Sequence, residues 1–365
     1  MGIVRFILAC AVVLSHTSTI MGYSPVAGNL AVQCFYIISG FYMAMILTEK
    51  YHTPRSDYAF YTSRALRLYP IYWLNLLLLV VWALFVDSRH YPGTLDFYTK
   101  YAHPGIIALC YFILSNIFIV GLDWAFFLGI HPGGDLYFTT EFDAAKPSVY
   151  NFAFNSVGWT IGLEMLFYLV APWLNKRTAR VLVILFCLSL LLRIWLSITV
   201  SDGPQWGYMF FPTQLMLFIA GICSYRCYVR YIRDKSGRRL QYAVYTLLIT
   251  VILLYYQVFP ESYYKQAVLF LTVAAGMPFA FELTKKSKTD RFLGNLSYIV
   301  YISQVVVIKI VEIKKFPKLV DKGFTALLLV IPLALLINKF VGEPIEKYRA
   351  ARALRLTKGG QAIGG

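Results

Sequence analysis

Apolar residues recur along the chain in runs of about 18 residues, roughly the length that a helix needs to cross a bilayer. Ten runs predict membrane-spanning helices: Ile3–Ile20, Leu30–Leu47, Tyr69–Val86, Val157–Leu174, Val181–Thr199, Tyr208–Tyr225, Leu240–Val258, Tyr264–Phe281, Leu293–Val311 and Phe324–Val341. The pattern predicts an all-α fold, a polytopic membrane helix bundle over residues 1–348 with about ten transmembrane helices. The remaining residues, 349–365, are expected to form a cytoplasmic tail.

Basic residues between these runs predict the orientation of the helices. Short loops rich in lysine and arginine stay on the cytoplasmic side, and such blocks occur around Arg64 and Arg67, at 176–180, 226–239, 285–291 and 349–355. An even number of spans must then separate Arg67 from Lys176. The eleventh apolar run, Gly105–Val120, is therefore expected to be re-entrant or interfacial, and both termini are expected to be cytoplasmic.

The composition excludes several classes of protein. Residues are 59% hydrophobic and only 14% charged, whereas soluble domains have about 25% charged residues. The net charge of +16 comes largely from the cytoplasmic blocks, so no nucleic acid is expected as a partner. Cys223 and Cys227 lack the histidine or cysteine partners of a zinc site, and no metal is expected. The first apolar run has no Ala-x-Ala cleavage site and is expected to be retained.

Two polar residues stand within the first apolar run. Arg5 and His16 are eleven positions apart, which is about 16 Å along a helix and within about 20° of the same face. Ionisable residues inside a span are costly and mark functional sites. The alternatives are an arginine that reaches the aqueous interface and a histidine hydrogen-bonded within the bundle. We interpret His16 as functional, while Arg5 alone would fit either role.

Small residues interrupt the second span. Ser39 and Gly40 lie in the stretch CFYIISGFYM, where the missing side chain lets a ligand or another backbone approach closely. Plain helix packing through small residues explains the same pattern.

Arg64 and Arg67 lie just before the third span, three residues apart and so on one side of a helix. Two guanidinium groups on one side suit a phosphate group, because each presents a planar fork of donors. Their alternative role is anchoring at the cytoplasmic membrane surface.

The stretch GWTIGLEMLFYLVAPW places Glu164 alone in an apolar span. A carboxylate there should have a polar partner in the bundle and indicates function. Trp159 and Tyr168 either contact a substrate or belong to an aromatic belt at the membrane interface. A later span offers Gln304 among further polar groups.

Four motifs stand in one order along the chain: Arg5 and His16 with ten residues between them, the SGF of Ser39–Phe41, the RxxR of Arg64 and Arg67, and WTxxxExxFYxxxP from Trp159 to Pro172. With these motifs the chain resembles the acyltransferase-3 family, integral-membrane O-acyltransferases that modify surface glycans. The resemblance extends from Arg5 to about Tyr348 and implies the family's ten-helix arrangement.

The resemblance also implies roles for these residues. An acyl donor, usually acetyl-CoA, would enter from the cytosol and meet Arg64 and Arg67, with Ser39 and Gly40 close by. His16 would correspond to the essential histidine and Arg5 to its partner, while Glu164 would orient an imidazole or bind acceptor hydroxyls. Trp159, Tyr168 and Gln304 are expected to contact the acceptor. Gln304 departs from the family pattern, because many members carry histidine there.

We therefore expect transfer of an acyl group, acetyl in the first place, from acyl-CoA to a hydroxyl of a surface polysaccharide or its lipid-linked precursor. The enzyme would lie in the lipid bilayer of a plasma membrane, the inner membrane of a bacterium. A transporter or flippase of a lipid-linked saccharide would also explain ten spans with intramembrane charges. Transporters often show internal repeats and paired broken helices, which the sequence does not display.

Overall fold

The computed structural model describes residues 1–51, 57–87, 93–101, 103–200, 203–258, 260–313 and 316–361. Most of these residues are helical, since apolar side chains surround most segments and a helix satisfies its own backbone hydrogen bonds. The helices are α1 (Gly2–Ser15), α2 (Gly28–Glu49), α3 (Asp57–Trp82), α4 (Ile106–Phe118), α5 (Gly158–Asn175), α6 (Ala179–Thr199), α7 (Phe211–Cys227), α8 (Arg238–Leu254), α9 (Tyr263–Thr284), α10 (Lys288–Val311), α11 (Lys322–Ile337) and α12 (Glu343–Gln361).

Shorter elements extend or connect these helices. An antiparallel hairpin, β1 (Leu128–Ile130) and β2 (Leu136–Phe138), pairs Gly129 with Tyr137. Single turns of α-, π- or 3₁₀-helix cover Ala83–Asp87, Thr94–Asp96, Phe97–Tyr101, Leu122–Phe126, Phe142–Ala144, Val149–Phe152, Gln205–Met209, Tyr228–Ile232, Tyr255–Gln257 and Asn338–Gly342.

Within the described residues, eight helical segments are long and apolar enough to cross a membrane. They are Gly28–Glu49, Asp57–Val86, Ala179–Thr199, Phe211–Ile232, Arg238–Gln257, Tyr263–Thr284, Lys288–Val311 and Lys322–Arg352. Eight of the ten predicted spans fall on these segments, and the other two fall on α1 and α5. The expectation of an all-α, multi-pass membrane bundle is confirmed, while the number ten stays a prediction.

One detail differs from the sequence expectation. The first helix ends at Ser15, not at Ile20, because the side chains of His16 and Thr17 bond back to carbonyls of α1 and the chain then turns through a bridge between Ile20 and Tyr23. α2 runs through Ser39 and Gly40 as one continuous helix. α12 includes residue 349, and the domain boundary expected there stays a prediction.

The chain divides into two compact units. Unit 1 contains Met1–Tyr72, Ala171–Arg177 and Ala220–Gly365, and unit 2 contains Trp73–Val170 and Thr178–Ile219. In unit 1, close helix pairs form where glycines remove the side chain between two backbones. A Cβ on Gly2 of α1 would lie 1.6 Å from the backbone oxygen of Asp290 on α10, and one on Gly221 of α7 would lie 2.0 Å from that of Ile37 on α2.

Unit 2 has an aromatic core beneath its hairpin. The rings of Phe112 and Phe152 stack with centroids 4.1 Å apart, and the buried amide of Asn116 donates to the carbonyls of both residues. α4, the helix in the ambiguous run Gly105–Val120, has 13 residues, or about 20 Å. This length falls short of a hydrocarbon core of about 30 Å, and the re-entrant or interfacial placement of the segment stays a prediction.

Candidate functional site

The first turn of α1 is fixed by a carboxylate from α10. The Asp290 carboxylate accepts hydrogen bonds from the backbone N–H groups of Gly2 and Ile3 at 2.8 and 3.0 Å, and from the Met1 amino group at 2.9 Å. The first N–H groups of a helix have no partner within the helix, and Asp290 satisfies two of them. The bonds fix the position of α1, the helix that leads to both Arg5 and His16, against α10.

Tyr42 on α2 lies among charged groups from three other helices. The Arg5 guanidinium is 5.8 Å from the centre of the Tyr42 ring. Arg67 on α3 and Asp290 on α10 also act electrostatically on the Tyr42 hydroxyl. The structure therefore brings Arg5 and Arg67 to one part of unit 1.

His16 lies at the other end of α1, immediately after its last helical residue. The side chain is exposed and lies beyond the helix, whereas its place in the sequence suggested a position well inside a helical span. Its Nδ1 atom is 2.9 Å from the carbonyl oxygen of Val12. Because a carbonyl oxygen only accepts hydrogen bonds, Nδ1 carries the proton, and the Nε2 atom of a neutral ring keeps its lone pair.

The loop after His16 is attached to the start of α11. The backbone N–H of Gly323 donates to the Ser18 hydroxyl at 2.9 Å, and the N–H of Met21 donates to the Asp321 carboxylate at 2.9 Å. Hydrogen bonds from the backbone N–H groups of Phe324, the larger contribution, and of Met21 lower the pKa of the Asp321 carboxyl. The bonds of Ser18 and Met21 restrict the segment that follows the histidine.

Ser39 and Gly40 lie where α2 meets α7. Ser39 is buried, and a Cβ on Gly221 of α7 would stand 2.9 Å from the Cα of Gly40. The missing side chain thus lets another helix backbone approach, which is the packing alternative. Binding of a cofactor by these two residues stays a prediction.

Arg64 and Arg67 have different surroundings although both belong to α3. Arg64 is buried, with its guanidinium 6.0 Å from the centre of the Phe60 ring. Arg67 lines a cavity of about 380 Å³ in unit 1. Residues of α3, α10, α12 and the turn after α11 line the cavity. Its polar lining residues are Arg67, Asn295, Tyr298, Asn338, Glu343, Glu346, Lys347 and Arg349.

Two side chains, one from α10 and one from α12, form hydrogen bonds with α3 at this cavity. The Tyr298 hydroxyl donates to the carbonyl oxygen of Leu68 at 2.9 Å, and the Arg349 guanidinium donates to the Ser63 hydroxyl at 3.1 Å. Arg349 also pairs with Glu346. The helices that form the cavity are thereby joined on both sides of Arg67.

Gln304 is fully buried in α10. Its amide nitrogen donates to the carbonyl oxygen of Tyr301 at 2.9 Å, while its amide oxygen accepts no hydrogen bond among the described residues. Its predicted contact with a substrate is untested.

Glu164, Tyr168 and Trp159 belong to unit 2, on α5. The Tyr168 hydroxyl donates to Glu164 Oε1 at 2.5 Å from one turn away. This bond is the polar partner that an intramembrane carboxylate requires. Trp159 is buried and packs edge-on against Phe126 and Tyr208, with ring centroids 5.2 and 5.0 Å away. The roles predicted for these residues in catalysis and substrate binding stay predictions.

Unit 2 contains a further carboxylate that the sequence did not single out. Asp123 follows α4, is only 4% exposed and faces Gly162 of α5. Its Oδ1 atom accepts no hydrogen bond within the described part of the chain. Burial raises the pKa of Asp123 to about 6. Its place in the sequence, just after the eleventh apolar run, gave no sign of this burial.

Comparisons with known proteins agree with the motifs. The chain matches the family model described as an acyltransferase domain, acyltransferase 3, over residues 1–339. A curated relative, "Protein 2 in picA locus" of Rhizobium radiobacter, is 28% identical over 139 residues, which cover 37% of this chain and 72% of that protein. No solved structure matches the chain. Since the family model covers nearly the whole chain, the protein belongs to the acyltransferase-3 family and is a membrane acyltransferase.

Proposed function

We propose that this acyltransferase moves an acyl group, acetyl in the first place, from acyl-CoA to a hydroxyl of a cell-surface glycan or its lipid-linked precursor. The observation that carries the proposal is the hydrogen bond between His16 Nδ1 and the Val12 carbonyl. It leaves the other ring nitrogen available as a base on an exposed side chain. The enzyme would lie in a plasma membrane, the bacterial inner membrane, with both termini cytoplasmic.

His16 would act as the general base. A sugar hydroxyl is a poor nucleophile at neutral pH, and a positioned imidazole accelerates its reaction by accepting the proton. Nε2 would take the hydroxyl proton while the oxygen attacks the thioester carbonyl. The carbon–sulfur bond then breaks, the ester remains on the glycan, and the imidazolium returns its proton to the departing CoA thiolate.

The donor would bind at the opposite end of α1. Arg67 lines the cavity in unit 1, and Arg5 shares the surroundings of Tyr42 with it. Arginine suits phosphate because its guanidinium donates two parallel hydrogen bonds. Since Arg5 and His16 are about 16 Å apart along the helix axis, the flexible arm of CoA would extend beside α1 to bring the thioester to His16.

The acceptor-binding residues are those that the family motifs indicate. The Glu164 carboxylate can accept hydrogen bonds from sugar hydroxyls, and aromatic rings such as Trp159 and Tyr168 offer apolar faces to a sugar. Gln304 would contribute an amide. These assignments follow the family motifs.

The test uses membranes that contain the wild type, His16→Ala or His103→Ala, with acetyl-CoA labelled in the acetyl group and a surface-glycan extract. His103 is an exposed histidine of unit 2 and serves as the matched control. We expect alkali-labile label on the glycan with the wild type and His103→Ala, and a loss of at least a hundredfold with His16→Ala, as is typical of a general base.

Normal transfer by His16→Ala at wild-type protein level would refute the role of His16. Movement of a lipid-linked saccharide across vesicles without consumption of acetyl-CoA would instead indicate a flippase.

A further inference from the structure

The turn Leu122–Phe126 in unit 2 packs against α5 at two points. Asp123 faces Gly162, where a Cβ on the glycine would lie 3.4 Å from the aspartate Oδ1 atom. Phe126 is buried and meets the ring of Trp159 edge-on, with centroids 5.2 Å apart. Gly162 and Trp159 are three residues apart and share one side of α5, so the turn as a whole covers that side of the helix.

The contact at Gly162 is close because glycine has no side chain. A Cβ there would lie 3.2 Å from the carbonyl oxygen of Ile119, which is tighter than nine in ten real Cβ contacts. Ile119 is the residue after α4 and has a φ of +67°. This backbone conformation is costly for a β-branched residue and persists only where the surrounding structure holds it. The junction between α4 and the turn is therefore strained, and packing against α5 keeps it in place.

Asp123 makes this packing sensitive to charge. Its side chain is buried, and its Oδ1 atom accepts no hydrogen bond from any residue that the structure describes. Burial without such a partner favours the neutral carboxyl and raises the pKa of Asp123 to about 6. An ionised Asp123 would therefore oppose the packing that a neutral one permits.

The elements packed against the turn offer no cation to compensate an ionised Asp123. The helices α4 and α5, the strand β1 and the turns 149–152 and 205–209 contain no lysine, arginine or histidine. Their titratable groups near the turn are the tyrosines Tyr111, Tyr150 and Tyr208, which are neutral at these pH values. Glu164 of α5 lies about 200° around the helix from Gly162 and so points to another side.

We infer that Asp123 is a positioning residue whose neutral form keeps the turn Leu122–Phe126 docked on α5 and thereby holds Trp159, and whose ionisation weakens this docking. The role of Trp159 in binding the acceptor rests on the proposed function, whereas the docking of the turn does not. Asp123 lies outside the four sequence motifs, yet it acts on a residue of one of them.

Docking is strongest at low pH. The ordinary pKa of the carboxyl is 3.8 and that of the buried one is about 6. Docking therefore weakens as the pH rises from about 4 to 6 and levels off above that range. The two pKa values together give a fall of about tenfold in the docking equilibrium constant between pH 5 and pH 7.5.

The equilibrium is measured by hydrogen exchange on the full-length protein in nanodiscs, without donor or acceptor and after correction for the intrinsic pH dependence of exchange. The reporters are the backbone N–H groups of Leu122, Trp124 and Phe127, which form hydrogen bonds within the turn and its junction. The variants are Asp123→Asn, which resembles the neutral carboxyl, and Asp123→Ala, which removes it. The control is Asp135→Asn, which removes an exposed acid of the same unit.

We expect protection of the turn to fall about tenfold from pH 5 to pH 7.5 in the wild type and in Asp135→Asn. It should stay constant in Asp123→Asn and in Asp123→Ala, and either variant suffices if the other folds poorly. In transfer assays, the KM of the wild type for the glycan acceptor, divided by that of Asp123→Asn at the same pH, should rise severalfold over this range. The corresponding ratio of kcat should not change. Comparison at each pH is needed because histidine also titrates in this range.

Equal protection of the wild-type turn at both pH values would overturn the inference even if acyl transfer is found. A fall that both Asp123 variants abolish would support the docking even if no acyl transfer is found, so the two proposals can fail separately. A fall that persists in both variants would belong to another group and refute the role of Asp123. If protection falls but the ratio of KM values stays constant, the turn titrates without positioning the acceptor, and the positioning role is wrong.

Discussion

Gly221→Ala tests how strictly the backbone contact between α2 and α7 is required. The added Cβ would lie 2.0 Å from the Ile37 oxygen, 2.7 Å from the Phe41 nitrogen and 2.9 Å from the Gly40 Cα. Contacts below 3.0 Å are essentially never found for a real Cβ, so the oxygen contact alone needs a displacement of at least about 1 Å. All three obstacles are backbone atoms of a largely buried helix, and none can rotate away.

Overpacking of this kind costs about 1–3 kcal/mol, and occasionally more. Alanine is also a better helix former than glycine by up to about 1 kcal/mol, which offsets part of the cost. Gly276→Ala on α9 is the matched control, since its Cβ would meet only the Leu248 side chain, at 3.4 Å. Both variants share the gain in helix propensity, so the difference between them isolates the backbone contact.

The free energy of unfolding is measured by SDS titration in mixed micelles for the wild type and both variants. We expect Gly221→Ala to be less stable than Gly276→Ala by about 1–3 kcal/mol, and Gly276→Ala to match or exceed the wild type. Equal stability of the two variants, within about 0.5 kcal/mol, would show that α2 and α7 separate without cost. The steric reasoning would then be refuted.

Three further predictions concern single polar groups. Asp290→Asn should destabilise unit 1 by about 1–3 kcal/mol, because the amide replaces a carboxylate that accepts from Gly2 and Ile3; unchanged SDS unfolding would contradict the anchoring of α1. Asp123→Asn should stabilise the protein near pH 7.5 by up to about 3 kcal/mol. The folded-state pKa of Asp123 is about 6, above the ordinary 3.8, so the wild type loses stability as the pH rises through 6 and this carboxyl ionises. That gain should disappear below about pH 4, and a gain independent of pH would refute the assignment. Tyr298→Phe should cost about 0.5–1.5 kcal/mol by removing the bond to the Leu68 carbonyl, and an unchanged unfolding free energy would show that the bond contributes nothing.

The roles of the candidate residues could be predicted only in part. The partner expected for Glu164 exists as Tyr168, four residues away on the same helix face, because spacing along a helix is a local property. The similar spacing of Arg64 and Arg67 did not reveal that one is buried and the other lines a cavity. That difference depends on α10 and α12, which are distant in sequence.

Residues that join distant segments could not be predicted from the sequence either, because such contacts leave no pattern within one segment. Asp290 looked like part of a cytoplasmic charged block, yet it caps a helix nearly 290 residues away along the chain. Tyr42 looked like an ordinary aromatic residue of a span, yet its ring lies 5.8 Å from the guanidinium of Arg5 on another helix.

The sequence by itself determined the class of protein, the position of most long helices and the family. The hydrophobicity of a segment depends only on its own residues. Eight apolar runs therefore form long helices whatever the arrangement of the rest of the chain. Only the tertiary structure decided that α1 stops at Ser15 and leaves His16 exposed, that Gly40 serves a contact with Gly221, and that Arg67 opens onto a cavity with Lys347. Each of these depends on which backbones approach one another, and that choice is made by packing among helices rather than by any pattern within one helix.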